Sequence, residues 1–178
     1  MRAQVMLVLG GARSGKSQLA EDWTLRFPGP HTYLATAEAR DDEMAARIAG
    51  HRIRRQGSWM TVEEPLDLVP ALLHGTGPVL VDCLTLWLTN LMLKGRDWES
   101  EAEALMALLP RLRRPVVLVS NEIGLGLVPE TPLGREFRDA AGLLNQGVAA
   151  VADTAALVVA GLPLLLKGSP PQITPPLV

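Results

Sequence analysis

Gly10-Gly11-Ala12-Arg13-Ser14-Gly15-Lys16-Ser17 reads G-x-x-x-x-G-K-S, the spacing of a phosphate-binding P-loop. The apolar run Val5-Met-Leu-Val-Leu9 precedes it and an amphipathic stretch opens at Gln18, giving the strand-then-helix context that the motif needs. Glycines let the backbone curl until successive N–H groups face one point, and the helix N-terminus adds a favourable dipole. Lys16 is placed to reach the β- and γ-phosphates, and the Ser17 hydroxyl to ligate Mg²⁺. A glycine-rich turn that matches by chance is the plain alternative. Basic residues here are mostly arginine, with only Lys16, Lys94 and Lys167 as lysines, so a lysine at this position carries weight. A nucleoside triphosphate is the expected ligand.

Outward from the loop, short apolar runs alternate with longer helical patterns. This alternation predicts a parallel sheet covered by helices. Strands are expected at 5–9, 32–35, 79–82, 116–120 and 156–160, with an antiparallel edge partner at 162–167. Helices are expected at 16–26, 41–56, 66–73, 84–93, 100–113 and 132–152. Thr131-Pro132 suits the start of the last helix, with Thr as N-cap and Pro in the first turn. The expected fold is therefore α/β: one P-loop NTPase-type domain over 1–167, helices on both faces, and an antiparallel C-terminal edge strand. Residues 168–178 hold four prolines in eleven positions and read as an extended tail.

With 178 residues the chain suits one domain with a sizeable core. Its 48% hydrophobic and 20% charged content is that of a globular protein. A net charge of −2 speaks against broad nucleic-acid binding, which shows as a basic excess. The single cysteine, Cys83, rules out an internal disulfide framework and fits a reducing, cytoplasmic setting. No signal-peptide pattern and no apolar run of about 18 residues is visible, so no membrane span is expected.

In open α/β sheets ligands sit at the carboxyl ends of the strands, which makes the residues just after each strand the candidates. Asp82 closes Val79-Leu-Val-Asp82, the form of the second P-loop motif, whose carboxylate holds Mg²⁺; the alternative is an Asp capping the helix that follows. In the segment 41–55, acids occupy the first turn and arginines the last, which by itself only complements a helix dipole. Arg47 and His51 stand four apart on one face, but spacing alone does not make His51 catalytic. Glu63 and Glu64 read either as polar turn residues or as contacts to a base or ribose. Asn121-Glu122-Ile-Gly124-Leu-Gly126-Leu-Val-Pro129 is glycine-dense after a strand, marking close backbone approach or a plain connection. Arg135, Arg138 and Asp139 either face that loop or are solvated.

Together the segments 10–17, 33–55, 59–65, 79–91, 119–146 and 160–167 resemble the bifunctional adenosylcobinamide kinase / adenosylcobinamide-phosphate guanylyltransferase family of cobalamin biosynthesis. The resemblance spans nearly everything but the tail. It implies two reactions: phosphoryl transfer from ATP or GTP to adenosylcobinamide, then GMP transfer from GTP to adenosylcobinamide phosphate with release of pyrophosphate. By the same resemblance His51 is the guanylylated nucleophile. Nucleotide contacts are implied for Gly10, Gly11, Ala12, Arg13, Ser14, Gly15, Lys16, Ser17, Ala35, Thr36, Ala37, Arg52, Ile53, Arg54, Glu63 and Asp82. A homo-oligomer, commonly a trimer, is implied as well. An imidazole attacks only when neutral, so guanylylation is expected to fall in acid, below a pKa of about 6.5. The competing readings are guanylyl transfer alone, a plain P-loop kinase without a covalent intermediate, and a nucleotide switch. Against the switch, no N-K-x-D motif is present. The fold rule brings the large acceptor to the loop 121–129 and the carboxyl rim of the sheet.

Overall fold

A computed structural model describes residues 4–38 and 59–172. The described elements run β1 (Val5–Gly10), α1 (Lys16–Thr24), β2 (His31–Ala35), β3 (Trp59–Glu63), α2 (Leu68–Leu73), β4 (Val79–Asp82), α3 (Leu84–Leu93), α4 (Trp98–Leu108), β5 (Val116–Asn121), α5 (Pro132–Val151), β6 (Thr154–Val159) and β7 (Leu162–Lys167). They form one seven-stranded sheet in the order β3-β2-β4-β5-β1-β6-β7. All pairings are parallel except the last, where β7 returns antiparallel to β6.

The central strands are near-continuous apolar runs because both of their faces are covered. Val5, Leu7 and Leu9 face one core with Trp87 and Leu91 of α3, Leu105 of α4, and Leu144 and Val148 of α5. The alternate residues Met6 and Val8 face the other core, with Ala20 and Trp23 of α1. This two-residue alternation is the strand period itself. Each fully buried Leu or Met contributes about 1.5–3 kcal/mol of transfer free energy, so β1 is fixed from both sides immediately before the P-loop.

The expected strands recur within two residues of their expected ends. The difference is β3. No strand is expected at 59–63, where only Glu63 and Glu64 read as polar turn residues or nucleotide contacts, yet Trp59–Glu63 pairs in parallel with β2. Because β3 is an outer strand with exposed positions, it lacks the apolar run that marks a central one. Its pairing is supported by Trp59, whose ring lies 5.4 Å from His31 and 6.0 Å, edge-on, from Tyr33. Helix α4 begins at Trp98 rather than at residue 100, because Asp97 caps it by accepting from the Ser100 amide at 3.2 Å. Thr131 caps α5 as expected, accepting from Gly134 N at 3.1 Å. The helix expected at 41–56 lies outside the described residues. At the amino-terminal end of the sheet, Arg26 donates to the Pro171 carbonyl at 2.7 Å and Thr154 to that of Ser169 at 2.8 Å.

Candidate nucleotide-binding site

The P-loop leaves the carboxyl end of β1 and re-enters helix at Lys16. Two positive φ angles make the curl, 56° at Arg13 and 96° at Gly15. At Gly15 a side chain would be strained by the backbone angle and would stand 3.3 Å from the Cα of Gly161, so glycine is required there on both counts. The loop is closed by Ser14 N donating to Gly11 O (3.3 Å) and buttressed by Gly161 N donating to Ser14 O (2.8 Å). Lys16 Nζ donates to Gly11 O at 3.0 Å, folding the ammonium over the concavity where phosphates would lie. Ser14 Oγ is buried without a partner.

Sheet register lines up the other candidates. Ala35 is the partner of Glu63 on one side and of Asp82 on the other, while Gly10 is the partner of Asn121. Glu63, Ala35, Asp82 and the P-loop therefore share the carboxyl edge. Tyr33 donates its hydroxyl to Asp82 Oδ2, which leaves Oδ1 for a cation. Asp82 is not the cap of α3: no side-chain hydrogen bond caps that helix, and its N-cap position is Cys83.

Thr36 is fully buried and braces the strand ends. Its amide donates to Asp82 O at 3.0 Å, and its hydroxyl donates to Cys83 O and accepts from Cys83 N, both at 2.8 Å. Asn90, inside apolar α3, donates to Thr36 O at 2.7 Å and Pro65 O at 3.0 Å. Nearby, Thr85 Oγ1 accepts from Asn121 N at 2.7 Å and lies 3.1 Å from Ser120 Oγ. Asn121 Nδ2 approaches Cys83 Sγ at 3.7 Å. Burial, reinforced by the adjacent Asp82 charge, pushes the Cys83 thiol above its ordinary pKa, so it is an inert neutral group and no nucleophile.

Glu64 is a turn residue: its carboxylate accepts from the amides of Leu66 (3.1 Å) and Asp67 (2.9 Å). Glu63 ends β3 with its side chain on the exposed edge. Ala37 follows Thr36 and is half-buried. His51, Arg52, Ile53 and Arg54 lie outside the described residues. Sequence reading missed the brace formed by Tyr33, Thr36 and Asn90. The only hint was the polar Asn90 and Thr89 within Leu84-Thr-Leu-Trp-Leu-Thr-Asn-Leu-Met-Leu93.

The donor set fits Mg²⁺ better than a caged metal. Among the described residues no three His, Cys, Asp or Glu side chains cluster to hold an ion. Mg²⁺ needs no such cage, since it keeps its waters and takes one or two protein oxygens beside phosphate oxygens. Ser17 and Asp82 are oxygen donors of that kind.

Comparison with known proteins shows the family to which the chain belongs. The family described as cobinamide kinase / cobinamide phosphate guanyltransferase matches residues 6–166. A bifunctional adenosylcobalamin biosynthesis protein of Pseudomonas aeruginosa is 48% identical over 169 residues, covering 92% of this chain and 98% of its own length. Proteins of the same description from Escherichia coli and Salmonella typhimurium are each 42% identical, covering 92% of this chain and 99% of their own lengths. No helix among the described residues is long and apolar enough to cross a membrane. The chain belongs to the cobinamide kinase / cobinamide phosphate guanyltransferase family.

Proposed function

We propose that this chain phosphorylates adenosylcobinamide with ATP or GTP and then transfers GMP from GTP to adenosylcobinamide phosphate, giving adenosylcobinamide-GDP and pyrophosphate. The observation that carries the reading is the family match over residues 6–166 on a chain whose P-loop and Asp82 share one sheet edge. The nucleotide lies with its phosphates against Gly10, Gly11, Ala12, Arg13, Ser14, Gly15, Lys16 and Ser17. Ala35, Thr36, Ala37, Arg52, Ile53, Arg54 and Glu63 complete its surroundings.

In the kinase step the acceptor hydroxyl attacks the γ-phosphorus and the nucleoside diphosphate leaves, with Lys16 following the developing negative charge. In the guanylyl step a neutral imidazole nitrogen of His51 attacks the α-phosphorus, the bond to the β-phosphate oxygen breaks, and pyrophosphate departs. An oxygen of cobinamide phosphate then displaces His51, restoring the free imidazole. Splitting one displacement into two is the gain of covalent catalysis. Mg²⁺, when bound by Ser17 and Asp82, neutralises charge on the phosphate oxygens. Tyr33 and Thr36 hold the Asp82 end of β4 in place for that role.

The reading extends to a transferase unit over 1–167, a proline-rich tail at 168–178, a cytoplasmic setting and a homotrimer. The edge strand β7 favours self-association: Leu162, Leu164, Leu165 and Leu166 are 73%, 58%, 42% and 55% exposed, an apolar edge that monomeric proteins avoid.

The deciding experiment is incubation with Mg²⁺ and α-labelled GTP, then denaturation and peptide mass spectrometry. A GMP adduct on His51, acid-labile, alkali-stable and absent from His51→Ala, supports guanylyl transfer through histidine. No adduct under conditions where GTP binds leaves a plain kinase or a nucleotide switch.

A further inference from the structure

The connection between β5 and α5, residues 122–131, is pinned at both ends. At its start Glu122 N donates to Gly10 O at 3.1 Å, tying the loop to the residue that opens the P-loop. Glu122 Oε1 accepts from Gly124 N at 2.6 Å, and Ile123 packs against the α5-side core. At its far end Arg135 Nη1 donates to the carbonyls of Pro129 (3.1 Å) and Glu130 (2.8 Å). Pro129 rests on Gly134, where any side chain would meet it at 2.8 Å.

Between these anchors the side chains are apolar and face water. Leu127 is 95% exposed, Leu125 83% and Val128 61%, and Leu133 in the first turn of α5 is 59% exposed. The carboxylate of Glu122 and the guanidinium of Arg135 are turned onto loop backbone, so the leucines are held outward by a hydrogen-bonded frame. Contiguous apolar groups fixed in solvent mark an interaction surface. This one lies on the carboxyl edge of the sheet, beside the P-loop, where a phosphoryl or guanylyl acceptor must present its reacting oxygen. An acceptor that reaches that edge with a bulky macrocycle needs a broad apolar support next to the phosphates, and the loop's exposed charge, Glu130, stands at its far end, after Leu125, Leu127 and Val128.

We propose that residues 125–128, with Leu133, form the platform on which the corrin ring of the acceptor lies, its aminopropanol arm reaching over Gly10 to the nucleotide. The inference rests on the family reading of the acceptor and adds the residues that recognise it. Leu125 and Leu127 are the main contacts, being the side chains with most surface to remove from water.

Titration of the whole protein with adenosylcobinamide phosphate, followed by calorimetry, tests this with Leu125→Ser, Leu127→Ser and the conservative Leu127→Met. GTP affinity and particle size by light scattering are read on the same samples. Each serine variant is expected to weaken corrinoid binding about tenfold, equivalent to about 1.4 kcal/mol. GTP affinity and particle size stay unchanged, and Leu127→Met binds nearly as the unaltered chain does. Corrinoid affinity that is equal in all forms overturns the platform while leaving the family reading intact. A change of particle size without loss of corrinoid affinity also overturns it, assigning the leucines to subunit contact. Failure of the unaltered protein to bind the corrinoid overturns the acceptor reading and the platform together.

Discussion

Gly161 donates its amide hydrogen to the carbonyl of Ser14 at 2.8 Å, so the turn of the C-terminal hairpin holds the phosphate loop from below. The turn consists of Ala160 and Gly161, with φ of 51° and 80°. Two consecutive left-handed residues make the tight two-residue connection whose twist suits antiparallel strands. The P-loop and the far edge of the sheet are thereby mechanically linked.

Replacing Gly161 by Val tests that link. A Cβ at Gly161 would meet nothing within 4 Å, so the substitution acts through backbone strain and not through a clash. Left-handed geometry costs an ordinary residue about 1–2 kcal/mol, and a β-branched one more. The expected result is a roughly 5–30-fold weaker GTP affinity, with Gly161→Asn milder because Asn tolerates this region. Unchanged GTP binding by calorimetry in a folded Gly161→Val protein would refute the link.

Tyr33 supplies the second prediction. Its hydroxyl donates to Asp82 Oδ2 while its ring packs edge-on against Trp59. Tyr33→Phe keeps the ring contact and removes the donor. A hydrogen bond to a charged group is worth about 1.5–3 kcal/mol, so the carboxylate loses its fixed orientation while the fold stays. The Mg²⁺ concentration for half-maximal activity should rise about tenfold or more, and the melting temperature should move little. An unaltered Mg²⁺ dependence means that Tyr33 does not set the orientation of Asp82.

What the sequence disclosed depended on how local each signal was. Gly10 through Ser17 were readable because strand, loop and helix are adjacent in the chain. The place of Asp82 was readable because a buried strand leaves its last residue at the carboxyl edge. The Thr36–Cys83 and Asn90–Thr36 bonds join residues 47 and 54 positions apart, and no local pattern announces a pairing across such distances. Strand β3 escaped because its exposed side removes the apolar run. His51 drew its assignment from resemblance, since an arginine-rich stretch around one histidine has an adequate structural reading in helix-dipole terms.

Asn90 is the brace most exposed to single substitution. Asn90→Leu matches its size but leaves the Thr36 and Pro65 carbonyls without its donor. Each stranded buried group costs about 1–3 kcal/mol, and for a chain of this size each kcal/mol moves the melting temperature by about 2–4 °C. Thermal unfolding should therefore drop by several degrees. Nucleotide-dependent activity should fall further than stability accounts for, because Thr36 and Asp82 shift together. Restoration of full activity at a temperature where the variant is folded would separate stability from positioning and remove the second claim.

Cys83 provides a pH dependence whose sign is fixed by its surroundings. Burial is the main cause of its raised pKa, and the Asp82 charge adds to it. In the unfolded chain the thiol ionises at its ordinary value, whereas the folded protein keeps the proton to higher pH. Below the unfolded pKa both states are protonated and the contribution to stability is fully present and flat. Above it the unfolded state binds fewer protons than the native one, so stability declines as pH rises towards the folded pKa. Across that window the loss approaches about 1.4 kcal/mol per pH unit. Urea unfolding at a series of alkaline pH values should therefore show a steeper decline for the unaltered protein than for Cys83→Ala, even if the alanine variant starts lower because of the smaller side chain. Parallel declines would mean that the folded state releases the Cys83 proton as readily as the unfolded chain.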